Sequence, residues 1–146
     1  MNTVEMAASL IKRFEGLHKL GKDRMVRPYT CPAGVLTVGW GTTKFDKTRQ
    51  SFTIHECEEM LYVELEYILR KLAGMPASES RMAAIASWVY NLGIGAFRTS
   101  TMRKRILAQD WEGAARECEK WVWGGGRKLP GLVLRRAVEA EMLRKG

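Results

Sequence analysis

Apolar residues near the start of the chain recur every three or four positions: Ala7, Leu10, Ile11 and Phe14 share one face, and Gly16 ends the run. Asn2, followed three residues later by Glu5, supplies a capping pair, so the pattern predicts a first helix that ends at Glu15. From 16 to 50 the period changes. Glycines, Pro28, Pro32 and the stretch from Val35 to Trp40 predict a small hairpin or meander, with a tight turn at Pro32, Ala33 and Gly34 and with Thr37 in the middle of a strand.

Helical spacing returns at Thr53. Thr53 and Glu56 read as a capping box, and Ile54, Cys57, Leu61, Leu65, Ile68 and Leu72 form one stripe of a long helix that Gly74 to Ser78 interrupts. The segment from Ser80 to Leu92 has almost no polar face and is expected at the centre of the core, with Gly93 as its stop. Ser100 and Asp110 start two shorter helices, the second bearing Trp111, Ala114, Ala115, Cys118, Trp121 and Val122 at helical spacing. Gly124 to Pro130 reads as a loop, and a last helix from Leu132 to Leu143 presents Leu134, Val138 and Met142.

These elements predict an α+β domain, mainly helical. A small β-containing lobe is expected over residues 16–52, a connecting helix over 53–72, and a helical lobe over 73–146 to which residues 1–15 return. A chain of 146 residues suffices for one such unit with a sizeable core. No window approaches the roughly 18 consecutive apolar residues of a membrane span. The first residues do not follow the order of a secretory signal, so accumulation in a bacterial cytoplasm is expected. Three cysteines, Cys31, Cys57 and Cys118, fit neither a disulfide scaffold nor a zinc spacing. A net charge of +8 implies attraction to a polyanion: nucleic acid, an acidic membrane surface or cell wall.

Among polar residues, Glu15 stands out because it closes a helix beside Phe14. A helix C-terminus and an apolar neighbour both favour a carboxyl group's neutral form, which is what a general acid for glycoside cleavage requires. A solvated surface glutamate is the alternative. Thr37 is either a packing residue of its strand or a hydroxyl that holds water. Cys31, with Arg27 nearby, is either a partly exposed thiolate or an inert small hydrophobe. Asp23 between Lys22 and Arg24 reads as an ion-paired loop residue, His18 and His55 are poor relay bases, and the pairs Arg127-Lys128 and Arg135-Arg136 read as solvated faces. Most tryptophans fall on core spacing, with Trp40 the one expected to reach the surface.

Taken together, four segments resemble the phage-type lysozymes, the endolysin muramidases of glycoside hydrolase family 24. They are Phe14-Glu15-Gly16; Tyr29 and Cys31 with Gly34, Thr37, Gly39 and Gly41; Val89 to Phe97 leading into Ser100-Thr101; and Leu129 to Leu132 with Arg135, Arg136 and Glu139. The resemblance implies a lysozyme-like fold and hydrolysis of the linkage between N-acetylmuramic acid and N-acetylglucosamine in peptidoglycan. It makes Glu15 the general acid, gives Cys31 the second catalytic position and has Thr37 place the attacking water. Tyr90 and Asn91 become sugar contacts, and Arg135 or Arg136 is expected near the acid. No metal or organic cofactor is implied, and the protein is expected to act as a monomer after release through a membrane lesion, with neither nucleic acid nor stable membrane insertion involved. The stretch between Glu15 and Cys31 is longer than the family's usual spacing, which implies an inserted loop around His18 to Arg27, and Thr42 stands where the family has a histidine. A transglycosylase closing an anhydro ring and a non-catalytic cationic binding protein remain as rival readings.

Overall fold

The computed structural model describes all residues from Met1 to Gly146. Helix α1 (Thr3–Glu15) begins where the Asn2 side chain accepts the Glu5 amide hydrogen, and it ends at Gly16, whose φ of 71° lies in the left-handed region that glycine tolerates. Four two-residue strands follow: β1 (Met25–Val26), β2 (Tyr29–Thr30), β3 (Leu36–Thr37) and β4 (Phe52–Thr53). They pair as two antiparallel ladders. Met25 faces Thr53 and Val26 faces Phe52 in one; Tyr29 faces Thr37 and Thr30 faces Leu36 in the other.

The strand expected to run from Val35 to Trp40 is therefore much shorter, and Thr37 is its last residue rather than its middle. Val38 instead bridges to Thr42, closing a tight turn through Gly39 and Gly41, both at positive φ. At Gly39 the need for glycine is also steric, because a Cβ there would stand 3.0 Å from the Cys57 Cβ. This turn draws Trp40 inward to 7% exposure, contrary to the surface position expected for it.

Helix α2 (Ile54–Lys71) opens with the predicted capping box, in which Thr53 and Glu56 satisfy each other's backbone amides. Its stripe of Cys57, Leu61, Leu65 and Ile68 is buried. Helix α3 (Glu79–Leu92) starts one residue before its predicted first residue, capped by Ser78, and lies at the centre: every residue from Ala83 to Val89 is buried, and α1, α2 and α7 all pack on it. A short helix α4 (Ile94–Arg98), which the apolar pattern did not announce, leads to α5 (Thr101–Leu107) and α6 (Trp111–Glu119), capped by Ser100 and Asp110 as expected. Trp121 falls beyond the end of α6 and packs edge-on against Trp88, with ring centroids 5.1 Å apart.

Two expectations for the C-terminal region fail. Residues 124–130 do not form a plain loop: β5 (Trp123–Gly124) and β6 (Arg127–Lys128) make a hairpin, because Gly125 and Gly126 both adopt the positive φ that a two-residue hairpin turn needs. The last helix, α7 (Pro130–Lys145), turns a different face inward. Its buried residues are Arg135, Arg136, Glu139, Ala140 and Leu143, whereas Val138 and Met142 are only half-buried and Leu134 is 60% exposed. Arg135 and Arg136 are thus core residues and not the solvated face expected of them, which is physically possible because both are paired with a buried carboxylate.

The result is mainly helical, with small antiparallel sheets and one continuous apolar core that includes Ile11, Val38, Phe52, Leu65, Trp88 and Leu143. No helix is long and apolar enough to cross a membrane.

Candidate active site

Glu15 is the last residue of α1, so its side chain projects where the helix stops and the β segment begins. Its Oε1 accepts a hydrogen bond from Arg135 Nη1 at 2.8 Å, and the side chain retains 26% exposure. The other oxygen, Oε2, lies against the turn after Trp40: a Cβ built at Gly41 would be 3.5 Å from it and 3.5 Å from the Tyr90 hydroxyl. These are ordinary contact distances, so what favours glycine at this position is its φ of +91°. The backbone carbonyl of Glu15 is also engaged, with the His18 ring nitrogen 2.9 Å away, and His18 packs its ring against Tyr29.

Tyr29 links Glu15 to the ladder that carries Thr37 and leads into Cys31. It pairs with Thr37 across β2 and β3, and its phenol is pushed up by burial and then by the negative charges of Glu15 and Cys31. Cys31 follows β2 in the turn, half-buried, with its amide on the Val35 carbonyl at 2.9 Å. Its thiol is held below the usual range by the backbone amides of Val35 and Ala33, with burial opposing and the Thr37 hydroxyl adding to the effect. Thr37 is 3% exposed, and its one hydroxyl hydrogen has two acceptors to choose between, the Val35 carbonyl at 2.9 Å and the Cys31 sulfur. Glu15, Cys31 and Thr37 therefore gather around one tyrosine. Asp23 does not join them: it is exposed and bound to Arg27 at 2.7 Å, within the longer loop before β2.

Tyr90 and Asn91 stand at the end of α3. The Tyr90 hydroxyl donates to the Trp40 carbonyl, and burial first, then the charges of Glu64 and Glu15, keep the phenol protonated. Asn91 presents its carbonyl oxygen to Arg136, which leaves its amide hydrogens as the free donors. Tyr90 also lines a groove of about 800 Å³ with Thr42, Lys44, Phe45, Glu64 and Tyr67. Glu15, Cys31 and Thr37 are not part of that lining; the groove borders Glu15 through Tyr90 and Glu64.

Two carboxylates escape a reading by apolar pattern. Glu64, on α2 between Leu61 and Leu65, is half-buried in the groove; burial pushes it up, the charge of Glu15 acts in the same direction and Lys44 opposes both. Glu139 is completely buried between Arg135 and Arg136, and burial raises it against the pull of both guanidiniums. Its signal was the spacing of three and four residues from two arginines, on a helix whose leucines and valines form no clean stripe. No three His, Cys, Asp or Glu side chains converge as a metal ion requires.

The sequence profile described as Phage lysozyme matches residues 12–139, a span that runs from just before Glu15 to Glu139. The chain belongs to the phage lysozyme family. The endolysin of Acyrthosiphon pisum secondary endosymbiont phage 1 is 34% identical over 146 residues, covering 95% of each chain. The SAR-endolysin of Bacteriophage PS119 is 35% identical over 120 residues, 80% of this chain and 72% of that one. In three dimensions the chain is similar to the endolysin of Escherichia coli O157:H7 phage FAHEc1, with a TM-score of 0.82 at 28% identity over 99% of this chain and 94% of that one. This phage lysozyme is accordingly a glycoside hydrolase, an enzyme of peptidoglycan lysis.

Proposed function

We propose that this enzyme cleaves the β-1,4 linkage from N-acetylmuramic acid to N-acetylglucosamine by hydrolysis, with Glu15 as general acid, Cys31 and Thr37 placing the attacking water, and Tyr90 and Asn91 contacting sugars. What carries the reading is the position of Glu15: a partly exposed carboxyl at a helix end, with one oxygen fixed by a guanidinium and the other beside the Gly41 turn.

In this mechanism Glu15 gives its proton to the bridging oxygen as the glycosidic bond breaks, and water adds to the anomeric carbon while surrendering a proton. A depressed thiol suits Cys31 to stabilise positive charge on the sugar or to accept that proton, and the Thr37 oxygen, once its hydrogen points to Val35, is an acceptor for the water. Asn91 offers amide hydrogens to a sugar hydroxyl or acetamide oxygen. The formal charge of +8 draws the protein to an acidic wall polymer.

Glu15→Gln keeps size and hydrogen bonding but has no proton to give. It is expected to lower the rate on purified peptidoglycan by about 10²–10⁴-fold with the fold intact. Full wall-clearing activity in that variant refutes the assignment. Mass analysis of the wild-type products distinguishes the chemistry: reducing muramic ends mark hydrolysis, whereas anhydro ends mark a transglycosylase. The same reading has the enzyme made in the host cytoplasm and reaching the wall after release, which cell fractionation before and after lysis tests.

A further inference from the structure

Behind Glu15 lies a buried polar cluster in which Arg135 alone touches the carboxyl group described above. Glu139 divides its two oxygens among three partners: Oε2 is 2.6 Å from the Ser87 hydroxyl and 3.3 Å from Arg135 Nε, and Oε1 is 2.9 Å from Arg136 Nη1. Each arginine then reaches outward. Arg135 uses Nη1 on Glu15 at 2.8 Å and Nη2 on the Ser87 carbonyl at 3.0 Å, while Arg136 uses Nη2 on the Asn91 side chain. Residue exposures are 0% for Glu139, 1% for Arg136 and 3% for Arg135. Apolar side chains of similar volume would fill this space at least as stably, so the ionic cluster is a poor means of gaining stability alone. Its geometry supplies direction instead: one buried carboxylate fixes two guanidiniums, and each guanidinium orients a side chain at the site.

We propose that Glu139 is a positioning residue, holding the Glu15 carboxyl through Arg135 and the Asn91 amide through Arg136, so that acid and sugar contact keep one fixed relation. The proposal rests on the reading of Glu15 as the acid. Glu139 also sets the local charge balance. Around Glu15 stand Arg135 and Arg136 of α7, His18 with its ring nitrogen at the Glu15 carbonyl, Tyr29 of β2, Glu64 of α2 and Tyr90 of α3. Around Glu139 stand Arg135, Arg136, Ser87 of α3 and Cys118 of α6, the last with its sulfur 3.9 Å from Oε1. Of the two positive charges on the arginines, the Glu139 carboxylate offsets one. With Glu139 neutral, that charge is left uncompensated beside Glu15, a change of local charge that a pH series reads.

The test is Glu139→Gln, assayed on soluble uncrosslinked glycan strands over a pH series. Expected are a cooperative fold, kcat lower by about tenfold or more with KM within about twofold, and an upper pH limit of activity that moves down by about one unit. Should Glu139→Gln fail to fold, Ser87→Ala serves, since it removes only the hydroxyl shared by Glu139 and Arg135: a kcat loss of about three- to tenfold with the same direction of pH shift is expected. A folded Glu139→Gln enzyme with wild-type kcat and an unmoved pH limit overturns the proposal. A loss uniform across pH, tracking only reduced stability, overturns it equally, as does wild-type behaviour in Ser87→Ala where the first variant is unfolded. Glu15→Gln run alongside separates the two readings. If it is active, the acid itself is misassigned; if it is inactive while Glu139→Gln matches wild type, only the positioning role falls.

Discussion

Arg135 Nη1 sits 2.8 Å from Glu15 Oε1, joining the last residue of the first helix to a buried guanidinium on the last helix across 120 positions of sequence. The contact closes the chain on itself at the site. Arg135 is 3% exposed and also bonded to Glu139, so replacing it with an apolar residue leaves a fully buried carboxylate short of one cation. Arg135→Met is expected to lose roughly 3–5 kcal/mol of folding stability, read by urea denaturation. A variant as stable as wild type would mean that Arg136 alone satisfies Glu139.

Cys31 differs in kind from the other two cysteines. Backbone amides of Val35 and Ala33 hold its thiol below the ordinary value of 9.0, whereas burial pushes Cys57 to about 11 and Cys118 well up. Iodoacetamide should therefore modify one site in the native protein, at a pH below that for a free thiol, with peptide mapping placing the label on Cys31. Labelling of Cys57 or Cys118 at a similar rate would contradict the burial described for them.

Gly39 combines a φ of 63° with an approach to Cys57 so close that an added Cβ would lie 3.0 Å from its Cβ and 3.1 Å from its sulfur. The backbone strain and the overlap add, so Gly39→Ala is expected to cost roughly 2–4 kcal/mol, measurable as a lowered denaturation midpoint. Gly34, with positive φ but nothing near its Cβ position, should lose only the backbone part when changed to alanine. Equal losses at the two sites would remove the steric half of this account.

Glu56 lies at the foot of α2, bonded to the Thr53 amide at 2.9 Å and paired with Arg49. Arg49 first, then the Thr53 amide, lower its carboxyl from 4.5 to about 2. A folded value below the unfolded one means that its ionisation stabilises the fold above about 4.5 and that the contribution disappears as pH falls through the interval to about 2. The melting temperatures of wild type and Glu56→Gln should accordingly differ near neutrality and converge by about pH 2. A gap that persists in acid would assign the effect to packing.

Local signals determined much of the fold. Capping at Asn2, Thr53, Ser100 and Asp110, together with stripes such as Cys57, Leu61, Leu65 and Ile68, marked most of the helices, because caps and helical spacing act within a few residues of chain. The sequence also singled out Glu15, Cys31 and Thr37, through residue type and the resemblance of four ordered segments. Tertiary structure decided what depends on distant partners. Arg135 and Arg136 read as a solvated face, yet they are buried with Glu139 because each meets an opposite charge inside. Trp40 turned inward because the Gly39–Gly41 turn folds it against the core, and the strand around Thr37 stopped short for the same reason. Periodicity records which face of an element is apolar; it cannot register that a guanidinium 120 residues away will satisfy a carboxylate and allow both to leave water.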